Sequence, residues 1–189
     1  MKKLWLVGLV AVILCNCSKE NDGNSGSLPP LPDPDDVCSA MDNINFMTFC
    51  YEKFDANKDG KVSVREAEAV REIDFDKGLS GSLKGIERFP NLEILDCYSY
   101  HFGSGGYYSF SFAELDLRYN RMLKILRLYN CTNLVTLDLS RNTMLEEIEV
   151  YECNALNILR LPENLKEIEG GNCPKLQLSL IHISEPTRH

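Results

Sequence analysis

The residues best placed to do chemistry lie at positions 55–66, which read DANKDGKVSVRE. Oxygen-bearing side chains fall at the first, third, fifth, ninth and twelfth places: Asp55, Asn57, Asp59, Ser63 and Glu66. Gly60 stands sixth, where the chain has to turn sharply. Lys61 stands seventh, where only its backbone carbonyl would be used. Calcium takes six to eight oxygens at about 2.3–2.6 Å, and this spacing wraps such a set around one point, with Glu66 giving both oxygens. The pattern is a complete EF-hand loop, and the expected ligand is one Ca2+. A polar turn ahead of a helix would match some of these positions, but not all of them together with the glycine.

Nothing comparable points to catalysis. The three histidines are His101, His182 and His189, and no Ser-His-Asp or Cys-His set can be assembled around them. The chain is therefore expected not to be an enzyme. Its formal charge of -8 excludes nucleic acid as a partner, which would call for a basic face.

A calcium loop needs a helix on each side, and the apolar spacing predicts helices over residues 45–54 and 64–70. The exit runs through Ile73 and Phe75 into a repeating region. The repeats begin near Leu92 and follow L-x-x-L-x-L-x-x-N/C. Their central residues are Leu95, Leu115, Leu126, Leu137, Ile148, Leu159 and Ile168. From Leu115 to Leu159 the step is eleven each time. Alternation such as Leu126-Arg127-Leu128 is a short strand with one buried face. The closing residue alternates between Asn and Cys (Asn120, Cys131, Asn142, Cys153, Asn164, Cys173), so two units make one coil of about 22 residues. One sheet is expected to stack Leu126, Ile148 and Ile168, the other Leu115, Leu137 and Leu159. No coil can bury its leucines alone, so neighbours must share one core. A helical series fails, because L-x-x-L-x-L does not hold a period of 3.6.

These units resemble the cysteine-containing, internalin-like leucine-rich-repeat surface proteins of bacteria. The stretch NFMTFCYEKFDANKDGKVSVREAEAVREIDF is similar to the EF-hand leader that precedes such repeats in lipoproteins of anaerobes. The resemblance implies a leucine-rich-repeat solenoid, mainly short parallel β-strands on two sides, with a small α-helical EF-hand cap. Departures are Cys97 at a strand position, Gly170 in place of a strand leucine, and residues 98–111, which fit no repeat.

The first residues, MKKLWLVGLVAVILCNCSKEND, resemble a bacterial lipoprotein signal. Lys2 and Lys3 precede an apolar run too short to span a bilayer. Cleavage would leave Cys17 as the acylated residue and the anchor to an outer membrane, on its cell-surface or periplasmic side. The expected organisation is a signal at 1–16 and a Gly/Ser/Pro-rich tether at 17–36. An EF-hand cap follows at 37–75, and a solenoid at 76–177. Residues 178–189, LSLIHISEPTRH, resemble translated sequencing adapter, with a genuine strand as the other reading.

Residues 98–111 are read as a glycine-tipped hairpin. Its aromatics, Tyr107 and Tyr108 among them, either present a contact surface for sugar or protein or fold back over the first coil. Cys131, Cys153 and Cys173 should be free buried thiols, because equivalent positions on stacked coils point in parallel and do not converge. A Cys38–Cys50 bridge stays open. On the solenoid, Arg127 should lie beside Glu149 and Tyr129 beside Tyr151. Arg127, Tyr129 and Tyr151 are the first place to look for a ligand surface. The expected function is that of a monomeric, calcium-stabilised adhesion module for protein or glycan. The alternative is the adhesion arm of a longer surface enzyme.

Overall fold

The eleven-residue spacing of branched apolar residues resolves into strands that pair with the strand two units on. The structure, a computed structural model, describes residues 28–75, 77–98, 100–101, 106–107 and 109–180. Its strands are β1 (Glu72–Asp74), β2 (Ile94–Cys97), β3 (Tyr100–His101), β4 (Gly106–Tyr107) and β5 (Ile125–Tyr129). They continue as β6 (Thr136–Asp138), β7 (Glu147–Tyr151), β8 (Ile158–Leu161), β9 (Glu167–Gly171) and β10 (Gln177–Leu180). One parallel sheet has the order β1-β2-β5-β7-β9, and a second has β10-β8-β6. In the first, Ile73, Leu95, Leu126, Ile148 and Ile168 lie in one register row. This is a parallel β-solenoid of leucine-rich repeats.

The core lies between the two sheets. Leu95, Leu126, Leu128, Leu137, Leu139, Ile148, Leu159 and Leu161 are all buried. Burying one such side chain contributes about 1.5–3 kcal/mol, and each is covered by coils on both sides. At the end of the stack the cover stops: Ile168 is 46% exposed, whereas its neighbour Ile148 is fully buried.

The bends close by side-chain donation to carbonyls of the preceding coil. Asn120 Nδ2 donates to the carbonyls of Ile86 (2.8 Å) and Phe89 (3.0 Å). Asn142 Nδ2 donates to those of Leu117 (2.9 Å) and Asn120 (3.0 Å). On the other side the thiols take this place, Cys153 toward Leu128 and Tyr151, and Cys173 toward Val150 and Gly171. Just before each closing cysteine the chain turns left-handed, at Asn130, Glu152 and Asn172. Asparagine takes that conformation more easily than glutamate.

Helix α1 (Ile44–Phe54) starts at Asn43, whose side chain accepts from the Asn45 N–H. Helix α2 (Val64–Ala69) starts at Ser63 with a reciprocal capping box to Glu66. Both fall within a residue of the spans read from the sequence. Phenylalanines join α1 to the first coils: Phe49 lies 4.8 Å from Phe75, Phe54 5.4 Å from Phe89, and Phe75 5.9 Å from Phe110. Among the described residues no helix is long and apolar enough to cross a membrane.

Two expectations about sheets need adjusting. Residues 113–117 pair with no strand, although Leu115 and Leu117 point inward and are buried. The expected partner of Leu137 and Leu159 is therefore missing on that side. The row is extended in the other direction, where Leu178 of β10 pairs with Leu159. That strand runs three residues into the segment read as adapter; residues 181–189 lie outside the described residues. The insertion does form a hairpin, with β3 antiparallel to β4.

Candidate functional site

Two places gather polar side chains of the kinds singled out by the sequence. The first is the loop between α1 and α2. All six carboxylate oxygens of Asp55, Asp59 and Glu66 accept hydrogen bonds. Asp55 receives the N–H of Asp59 (3.2 Å) and Gly60 (2.8 Å). Asp59 receives the Lys61 N–H (2.9 Å) and Asn57 Nδ2 (3.0 Å). Glu66 reaches back across the loop. One oxygen takes the N–H of Ala56 (2.9 Å) and Asn57 (3.2 Å); the other takes the N–H and hydroxyl of Ser63, both at 2.8 Å. The Ser63 backbone and hydroxyl, then Asn57 and Ala56, hold the Glu66 carboxyl below its ordinary range.

Lys58 and Gly60 take left-handed backbone in this loop. Glu66 thus ties the backbone at 56–57 to Ser63, while Asp55 and Asp59 hold the turn at 59–61. Their carboxylates rest on backbone N–H groups, however, and no three Asp, Glu, His or Cys side chains among the described residues form a ready metal cluster.

The loop is also clasped from outside. Val37 N–H donates to the Val62 carbonyl at 2.9 Å, and Val62 N–H donates to the Asp36 carboxylate at 3.2 Å. The buried Asp36 carboxylate further accepts from Cys38 N–H and from Tyr51 hydroxyl at 2.7 Å; burial, then this bond, pushes the Tyr51 pKa up. Lys61 pairs with Asp33 at 3.0 Å. Sequence reading missed this clasp, because no motif marks Asp33 or Asp36.

The second place is the outward face of the five-stranded sheet. Register puts Asp96, Arg127, Glu149 and Glu169 in one row. Arg127 spreads its guanidinium over three carboxylates: Nε to Glu149 (2.8 Å), one terminal nitrogen to Glu147 (3.2 Å) and the other to Asp96 (3.3 Å). These bonds, Glu149 foremost, raise the Arg127 pKa further above its ordinary range. Burial raises that of Asp96, which Arg127 partly offsets.

The next row is aromatic. Tyr129 stacks on Tyr151 at 4.8 Å between centroids, and Tyr98 meets Tyr129 edge-on at 4.4 Å. Tyr129 donates to Glu149 at 2.5 Å and Tyr151 to Glu169 at 3.4 Å. Burial, then that bond, raises the Tyr129 pKa. Arg127 beside Glu149 and Tyr129 beside Tyr151 is the arrangement expected from the repeats. Tyr98 was not foreseen as part of it; its place one residue beyond β2 was the available signal.

Other expected residues lie elsewhere. Cys17 and Tyr108 are outside the described residues, and of Tyr107 only the backbone is described, in β4. The six described cysteines are free thiols, Cys38 and Cys50 included. Burial raises the Cys97 thiol, and that of Cys153 is pushed up to about 12, first by its contact with Cys131. A shallow groove of about 280 Å³ on the opposite side, lined by Asp116, Arg118, Asp138 and Arg141 among others, was not anticipated.

A scan against protein-family models finds no match, and a search of curated proteins finds none either. Among solved structures, the crystal structure of an internalin from Listeria monocytogenes is similar. The match covers 84% of this chain and 69% of that chain, at 15% identity and a TM-score of 0.36. At that distance the likeness carries no function across, and the fold is read from the strand register itself.

Proposed function

We propose that this chain is a non-catalytic binding module of the bacterial surface, anchored by a lipid on Cys17 and stabilised by one calcium ion in loop 55–66. The observation that carries the binding reading is the outward row Tyr98, Tyr129 and Tyr151 beside the Arg127–carboxylate row. Half-exposed aromatic side chains held rigid by a sheet contribute contact area with little ordering cost. Protein or glycan is the ligand class such a face suits. Its test is a screen of the full chain against glycans and host proteins, repeated with the Tyr129→Ala/Tyr151→Ala double variant. Binding that this variant does not weaken would remove the face from consideration.

The calcium reading is supported by the donor set and by loop closure. Asp55, Asn57, Asp59, Ser63 and Glu66 would supply side-chain oxygens, and Lys61 its carbonyl. The bound ion would supply a fixed positive charge that holds both ends of the loop together. Sites of the extracellular kind bind at about 10⁻⁴–10⁻³ M. At about 2 mM calcium, the tighter limit stabilises by about 2 kcal/mol, or about 3–8 °C in Tm. Thermal melts in calcium and in excess EGTA measure this. Superimposable curves would remove the ion from the account.

A further inference from the structure

We infer that Cys38 and Cys50 form a dithiol site that a disulfide oxidant closes to a covalent bond, fastening the segment that clasps loop 55–66 onto α1. The inference needs neither the tyrosine face nor a calcium ion.

The two thiols meet inside the cap. Cys38 lies in a short 3-10 helix, Val37–Ala40, and Cys50 lies in α1; both are fully buried. One carboxylate holds their surroundings together. Asp36 accepts the Cys38 N–H at 2.9 Å through one oxygen and the hydroxyl of Tyr51, the residue after Cys50, at 2.7 Å through the other. Burial, then a hydrogen bond with the Cys38 thiol, pushes the Cys50 pKa up. In this structure both are free thiols, the reduced form of the site.

The repeat cysteines are placed differently. Cys131, Cys153 and Cys173 stand at equivalent bends of parallel coils and turn their S–H groups to carbonyls at 3.4–3.9 Å. Their Cβ vectors run parallel, and a bond between two of them would give up several of those contacts. Cys38 and Cys50 come from two facing elements, so no repeat geometry keeps their side chains parallel. Among the described residues neither of their thiols donates to a carbonyl.

The oxidant is a low-molecular-weight or protein disulfide. One cysteine thiolate attacks an oxidant sulfur and releases a thiolate; the second attacks the mixed disulfide and releases the other. The two cysteine protons end on the two released thiols, and the oxidant takes up two electrons. A buried, protonated thiol is inert, so exchange runs during folding or when the clasp opens. The bond closes a loop of about 13 residues, which restricts the unfolded chain. It also lies beside the Val37 N–H that donates to the Val62 carbonyl at 2.9 Å, so it fixes the clasp at its root.

The test holds the full chain in a glutathione redox buffer, once as folded protein and once during refolding from urea. The samples are acid-trapped, unfolded, alkylated and mapped by mass spectrometry. A peptide pair joining Cys38 to Cys50 should appear, with Cys97, Cys131, Cys153 and Cys173 alkylated. The bridged chain should melt about 5 °C or more above the same chain in a phosphine reductant. Cys38→Ala and Cys50→Ala should each abolish that shift. If either variant misfolds, the wild-type map and melts decide.

Cys38 and Cys50 alkylated under both regimes, or joined to glutathione or to a repeat cysteine, overturn the inference. So does a mapped Cys38–Cys50 bridge whose melt coincides with that of the reduced chain.

Discussion

Single side chains set the terms of this fold at its bends. Asn142 spends its amide hydrogens on two carbonyls of the preceding coil's bend, and its Oδ1 meets no partner among the described residues. An alanine there strands two buried acceptors, so Asn142→Ala should cost about 2–4 kcal/mol in urea unfolding. Glu152 is the opposite case. It holds a left-handed backbone that Asn130 and Asn172 occupy more easily at the equivalent places. Glu152→Asn should therefore raise stability by about 1 kcal/mol in the same measurement. Glu66 sets a pH dependence. Its carboxyl titrates lower when folded than its ordinary 4.5, so its contribution is complete above that value and is lost as pH falls through the folded pKa. In buffer freed of calcium beforehand, the melting temperature of wild type should fall more steeply below about pH 4.5 than that of Glu66→Gln.

Strands and helices were readable to different depths. The parallel register was legible because leucines recur every eleven residues, and a slip by one would turn each of them to water. The Arg127–Glu149 and Tyr129–Tyr151 neighbours followed from that register alone. The clasp of Asp33, Asp36 and Val37 on loop 55–66 was not legible, because it joins residues far apart in sequence through backbone groups and carboxylates that no motif marks. Nor was the missing strand at 113–117, where Leu115 and Leu117 keep the repeat spacing and stay buried without strand pairing. Gly170, a departure from the repeat, has a steric cause: a Cβ there would come within 2.6 Å of the Val150 carbonyl oxygen. The cysteine bends lead to a chemical expectation. Burial keeps the Cys97 thiol protonated, and contact with Cys131 ahead of burial does the same for Cys153, so iodoacetamide should leave both unlabelled at neutral pH and label them on unfolding.

The entire stack behaves as a one-dimensional array whose stability depends on cover from neighbouring coils. Ile148→Ala, in the middle, should cost about 2–5 kcal/mol, and Ile168→Ala, half open at the end, under about half of that; paired urea curves compare them. At the other end the arrangement is tighter. Both backbone groups of Val62 are held by Asp36 and Val37, so loop 55–66 and the incoming chain share the same hydrogen bonds. Tension applied through residues 28–36 reaches this clasp before it reaches the leucines of the repeats. The grip of the loop and the load the module can carry are then one quantity, and stiffening the loop hardens the joint between the repeats and whatever pulls on them.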